Sequence, residues 1–190
     1  MPSHFTTKGH HAVRTNIVFT LTGADRVGIV DEVTQLLFNL GGNVETSRMA
    51  RLGGEFAILM LVALPSEQLA NLDRNVQHLV AQGYKVTTIQ TQQTYAEAHA
   101  GWRPYRIQVQ GADHEGLIHE IAHTLSQSGI NIEAMETGTV RAANSGIALF
   151  TMTAEVIVPP NLPGQTWSAA LEDVVHRLHL DMKLVAVSQQ

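Results

Sequence analysis

The stretch Gly23–Glu45, GADRVGIVDEVTQLLFNLGGNVE, returns 88 residues later as GADHEGLIHEIAHTLSQSGINIE, Gly111–Glu133. Nine of the 23 aligned positions are identical, where average composition gives about one or two by chance. Apolar positions correspond as well: Ile29 with Leu117, Val30 with Ile118, Val33 with Ile121, Leu37 with Leu125 and Val44 with Ile132. A repeat governs any fold assignment made after it. Each copy is large enough for a small domain, so the 190 residues read as two domains, not one large one or a solenoid.

Within copy one, Ile17, Phe19 and Leu21 alternate with more polar residues, the period-two signal of a half-buried strand; Tyr105, Ile107 and Val109 keep that register in copy two. Gly28–Leu40 then has helical spacing at Ile29, Val33, Leu36, Leu37 and Leu40 and stops at Gly41-Gly42. Two apolar-rich runs, Val44–Leu52 and Glu55–Leu64, flank Gly53-Gly54 as a β-hairpin. After Pro65-Ser66 a second helix carries Leu69, Leu72, Val76, Leu79 and Val80 on one face and ends at Gly83; Lys85–Thr91 closes the unit as a strand.

Copy two repeats the order, with a looser hairpin turn at Ala142–Ser145 and extra residues around VPPNLPGQT. Trp167, Leu171, Val174, Val175 and Leu178 mark its second helix and Met182–Val187 its last strand. Each copy is β-α-β-β-α-β, the ferredoxin-like arrangement of the α+β class. Right-handed crossovers place both helices on one face of an antiparallel four-stranded sheet. The expected divisions are a tail over residues 1–13, domains over 14–93 and 104–190, and a linker over 94–103.

Composition narrows the function classes. The chain has no cysteine, which excludes disulfides, thiolate metal sites and a cysteine nucleophile. Its start, MPSHFTTKGHHAVRTN, has no apolar segment of the signal-peptide kind. The longest apolar run, Phe56–Leu64, is about half the length that spans a bilayer. A cytoplasmic location without membrane attachment is the expectation. A net charge of −5 with scattered basic residues argues against direct nucleic-acid binding.

One motif points elsewhere. His119-Glu120-Ile121-Ala122-His123 fits H-E-x-x-H, which sets two zinc-binding histidines and a catalytic glutamate on one helix. With Ile121 at the centre of the buried stripe, Leu117 and Leu125 fall within about 40° of it. His119 and His123 lie near 160° and 200°, opposite the core. A zinc hydrolase also needs a third protein ligand in a cleft, and none follows His123. The pair reads as exposed surface, with no metal set assigned, and a zinc hydrolase is the remote alternative. His4, His10 and His11 read as a frayed terminus.

The repeated residues cluster at the turn into the first helix, Gly23–Gly28 and Gly111–Gly116, and at the start of the second strand, Gly41-Gly42-Asn43 and Gly129-Ile130-Asn131. A helix N-terminus offers unpaired N–H groups to a carboxylate. Gly28 and Gly116 leave room for a ligand to approach the backbone. Asn43 and Asn131 carry both donor and acceptor. Structural roles are equally open: Asp25 and Asp113 as helix caps, Gly41 and Gly129 as helix stops, the asparagines as turn residues.

At these residues the sequence resembles the opening of an ACT domain, whose pattern runs roughly D-R-x-G-[IL]-[VL], a helix, then G-x-N-[IV]. The resemblance covers about residues 14–93 and 104–188. Two tandem units without an attached domain resemble the glycine cleavage system transcriptional repressor family. Similar first units precede catalytic domains in formyltetrahydrofolate deformylase and some phosphoserine phosphatases, and this sequence holds no such catalytic domain. The resemblance implies a ligand region at Asp25, Arg26, Gly28, Ile29, Val30 and Asn43, and at Asp113, His114, Gly116, Leu117, Ile118 and Asn131. Two departures stand out: Val27 and Glu115 replace the usual proline, and His114 replaces the arginine. Glu115 beside an anion site disfavours carboxylates, so the first site is expected to bind better.

No Ser-His-Asp arrangement and no phosphate-binding or dinucleotide glycine loop is present, so no enzyme and no cofactor are expected. The reading is a regulatory binding module: an amino acid or similar effector at ACT-domain interfaces alters contact with a partner regulatory protein. The resemblance implies control of glycine metabolism through a transcription factor, without direct DNA contact. The alternative is an interaction scaffold with no ligand. Phe56–Leu64 is apolar at successive positions, so both strand faces are oily and need cover; a homodimer is the expectation.

Overall fold

The computed structural model describes residues 13–91, 99–141, 146 and 148–187. Residues 1–12 of the expected tail, with its histidines, residues 94–98 of the expected linker and the turn Ala142–Ser145 lie outside them. The chain divides into two compact units, one ending at Gln93 and the other beginning at Thr94. The first holds β1 (Arg14–Ala24), α1 (Ile29–Asn39), β2 (Asn43–Leu52), β3 (Glu55–Pro65), α2 (Leu69–Ala81) and β4 (Lys85–Thr91). The second holds β5 (Arg103–Ala112), α3 (Leu117–Gln127), β6 (Asn131–Arg141), β7 (Ala148–Val158), α4 (Gly164–Arg177) and β8 (Leu180–Ala186).

Both sheets are antiparallel, in the orders β2-β3-β1-β4 and β6-β7-β5-β8. Each is a pair of ferredoxin-like layers with one apolar core. In the first unit Ile17, Phe19 and Leu21 of β1 and Ile58, Met60, Val62 and Leu64 of β3 meet Ile29, Val33 and Leu37 of α1 and Leu72, Val76 and Leu79 of α2. In the second, Ile107, Val109, Phe150, Met152 and Val156 meet Leu117, Ile121 and Leu125 of α3 and Trp167, Leu171 and Val175 of α4. The helical spacing of the apolar residues therefore sets the buried face in both copies.

Helix ends explain part of the repeated glycine pattern. At the end of α1, Gly41 has φ 69° and Gly42 N–H donates to Leu37 O at 2.9 Å. At the end of α3, Gly129 has φ 69° and Ile130 N–H donates to Leu125 O at 3.0 Å. These are left-handed stops that satisfy last-turn carbonyls. Each sheet also shifts register at one place, Val44/Thr46 and Ile132/Ala134, so both bulges fall at a repeated glutamate, Glu45 and Glu133.

The last strand begins two residues earlier than the sequence suggests. His179 holds φ 55° where the first unit uses Gly83, and the turn delivers Leu180 under β5.

The oily strand has two fates. Ile58, Met60, Val62 and Leu64 enter the core, while Ala57, Leu59 and Leu61 face outward beside Thr22, Thr20 and Val18 of β1. Leu59 is 48% exposed and Ile89, next in the Leu61 row, is 61% exposed. The corresponding face of the second sheet is polar, with Thr151, Thr153 and Glu155 beside Gln110, Gln108 and Arg106.

Among the described residues no helix is long and apolar enough to cross a membrane.

Candidate functional site

In each unit the first strand hands over to the first helix through the repeated Gly-Ala-Asp turn, and its two glycines have separate causes. A methyl on Gly23 would sit 2.5 Å from Tyr84 Cδ1, and one on Gly111 would sit 2.4 Å from Leu180 Cδ2. These glycines leave room for the side chain at the entry to each unit's last strand, Tyr84 or Leu180. Gly28 and Gly116 have no atom within 4 Å of an added methyl, but both hold φ 88° immediately before the helix. Backbone conformation demands glycine there, and the space above it is open.

Neither helix has a side-chain cap. Asp25 lies 3.7 Å from Arg51 Nε, and Asp113 accepts from Thr139 Oγ1 at 3.3 Å. The backbone instead anchors each turn: Asp25 N–H donates to Gly54 O at 2.9 Å and Asp113 N–H to Ala148 O at 3.3 Å. First-turn amides of α1 and α3 thus have no capping side chain, and those of α3 border an open cavity, the arrangement that receives anions.

The two mouths differ in their side chains. In the first unit Arg26 turns to Glu32 in an ion pair, donates to Gln82 Oε1 at 2.8 Å and lies 5.6 Å over the Tyr84 ring. Tyr84 in turn donates to Ala24 O at 3.0 Å, and His78 stands 3.5 Å from Glu32. The Arg26 hydrogen bond holds the Glu32 carboxyl below the usual carboxylate range, and the same bond raises the Arg26 guanidinium. Arg26 is committed to a clamp from the helix-leading turn to the end of α2.

In the second unit His114 replaces that arginine, and the repeated glutamate, Glu120, takes Arg177 of α4 at 3.0 Å. There the mouth opens into a cavity of about 270 Å³. Asp113, His114, Gly116, Leu117, Ile118 and His119 form one side; Thr137, Gly138, Thr139 and Phe150 form the other. Strand register sets Met49, Ala50 and Arg51 at the places of Thr137, Gly138 and Thr139. Short residues on β6 widen the second mouth where Arg51 reaches across the first. The volume lies just below the roughly 300 Å³ at which drug-sized ligand pockets begin, a size for a small metabolite.

The asparagines are elsewhere. Asn43 pairs with Ala63, whereas the Asp25 turn meets the Gly54–Glu55 end of β3. Eight residues of strand separate the two points, roughly 26 Å. Asn131 likewise pairs with Ile157 while Asp113 meets Ala148, and its amide donates to Glu133. Within a unit the structure brings together Asp25, Arg26, Gly28, Ile29 and Val30, or Asp113, His114, Gly116, Leu117 and Ile118, without the asparagine. Sequence reading also passed over Arg51, Thr137, Thr139 and Phe150; the shared bulge aligns these wall positions, but only strand pairing reveals it.

The histidines of the H-E-x-x-H motif are exposed and stacked, ring centroids 5.7 Å apart. Among the described residues no group of three or more His, Asp or Glu side chains is placed to hold a metal.

Known proteins match both fold and sequence. The family model of the ACT domain matches residues 15–86. The glycine cleavage system transcriptional repressors of Escherichia coli K12 and Shigella flexneri are each 47% identical over 47 residues. That match spans 25% of this chain and about a quarter of the length of those relatives. The crystal structure of an unknown protein from Galdieria sulphuraria superposes with TM-score 0.80 and 32% identity over 93% of this chain and all of that one. A protein assigned provisionally as a glycine cleavage system transcriptional repressor shares the fold with TM-score 0.65 at 21% identity, over 93% of this chain and 99% of the other.

Proposed function

This chain belongs to the ACT-domain family, with two such units in tandem, and on that premise we propose that it is a non-enzymatic regulator that binds a small amino acid. The carrying observation is the second-unit cavity, whose lining holds both an uncapped helix N-terminus and the Asp113 carboxylate. The two ends match a zwitterion. The first-turn amides of α3 receive the ligand carboxylate, while Asp113, with the hydroxyls of Thr137 and Thr139 nearby, receives its ammonium.

The second site is the better one in this proposal, the reverse of what Glu115 suggested. Glu115 is exposed, and the arginine that favoured the first mouth is held by Glu32. Bound ligand shifts an equilibrium between protein-contact states by its differential affinity for them. By likeness to the repressors, the listener is a transcription factor controlling glycine metabolism, in the cytoplasm, with no direct DNA contact by this chain. Thermal-shift screening against the amino acids tests this. One or a few of them should raise the melting temperature, and Asp113→Asn should abolish the rise; no response to any amino acid would refute the reading.

A second reading, an ACT-fold scaffold with empty mouths, draws on the apolar outer face of the first sheet, Val18, Leu59, Leu61 and Ile89. In our proposal this face serves protein contact, including self-association as a homodimer.

A further inference from the structure

We propose that His119 and His123 form an open two-histidine clip for a borderline divalent transition metal such as Cu²⁺, Ni²⁺ or Zn²⁺. The residues stand four apart on α3, so one helical turn sets their rings side by side. Both are exposed, with ring centroids 5.7 Å apart and planes inclined by 21°. Two imidazoles bound to one tetrahedral metal at about 2.0–2.1 Å bring their centroids to roughly 5 Å. Side-chain rotation in open solvent closes that difference, while the helix already fixes the backbone.

Among the described residues no carboxylate joins the clip. Glu120, which would be the general base of a hydrolytic centre, is held by Arg177 at 3.0 Å. Because no third protein ligand stands by among the described residues, water completes the coordination shell. The site is exchangeable and non-hydrolytic. Imidazole donors favour these metals over Mg²⁺ and Ca²⁺, with Cu²⁺ the tightest of the three. The first unit has Asp31 and Gln35 at the equivalent positions, so the clip belongs to the second unit alone. His119 also borders the cavity, which places the metal at its rim.

Calorimetric titration of the full chain with NiCl₂ tests the clip, using H119Q, H123Q and the double variant. Exposed positions tolerate glutamine, and far-UV circular dichroism without metal checks that the helices persist. Each single variant should lose about tenfold or more in affinity, since loss of outer-shell partners alone costs that much. The double variant should lose one equivalent of Ni²⁺, and Ni²⁺ should broaden the ring signals of His119 and His123 in the wild-type NMR spectrum. Absence of Ni²⁺ binding by the wild type, or unchanged affinity and stoichiometry in the double variant, would overturn the proposal. In the latter case other histidines of the chain carry the metal.

Discussion

Gly28 and Gly116 serve a different end from Gly23 and Gly111, although the repeat writes all four into one motif. The first pair answers a backbone demand beside open space; the second answers a side chain pressing from the entry to the last strand. Gly28→Ala should cost about 1–2 kcal/mol of stability, the strain of a left-handed residue with a Cβ. Gly23→Ala should cost more, because the Tyr84 ring must move. Urea unfolding of the two variants ranks them, and a larger loss for Gly28→Ala would contradict this division. Glu32 supplies a prediction in pH. Its carboxyl is depressed in the folded state, so the unfolded chain binds that proton more readily and stability rises with pH. The contribution is complete above the ordinary glutamate value of about 4.3 and is lost as pH falls through the lower folded value. Glu32→Gln should flatten that part of a melting-temperature profile; a profile unchanged from wild type would mean that the Arg26 clamp adds nothing to stability.

Elements were the most legible level in the sequence, because apolar spacing at Ile29, Val33 and Leu37, or at Leu117, Ile121 and Leu125, directly names a buried helix face. The candidate site was legible only in part. Asp25, Gly28 and Ile29 are neighbours in sequence and in space, but the asparagines sit past the far end of an 11-residue helix, a length of about 16 Å. The walls of the second mouth come from β6 and β7, and pairing across strands leaves little trace in a one-dimensional pattern. β3 was read correctly as oily on two faces, and among the described residues only one of those faces is covered. Leu59→Lys with Ile89→Lys should therefore convert a dimer at tens of micromolar into a monomer, as read by light scattering. A dimer that persists would remove this face from self-association, while a monomeric wild type would remove the homodimer itself.

At the scale of the whole molecule, duplication has been followed by divergence of side chains and their contacts at equivalent positions. The first unit keeps the arginine and ties it to Glu32, whereas the second replaces it with His114 and takes Arg177 from α4 to answer Glu120. One mouth is bridged by Arg51, and the other is flanked by Thr137 and Thr139 around a cavity. The outer sheet faces diverge in the same sense, one apolar and one polar. In our proposal such a molecule uses one unit chiefly to receive a small charged molecule and the other chiefly to touch a protein. The most direct test is an amide NMR titration of the full chain with the amino acid that raises its melting temperature most. The account predicts saturable shifts concentrated at Gly116, Leu117 and Ile118 and at Thr137–Thr139, absent in Asp113→Asn. Saturable shifts confined to other residues, with these amides unmoved, would contradict it.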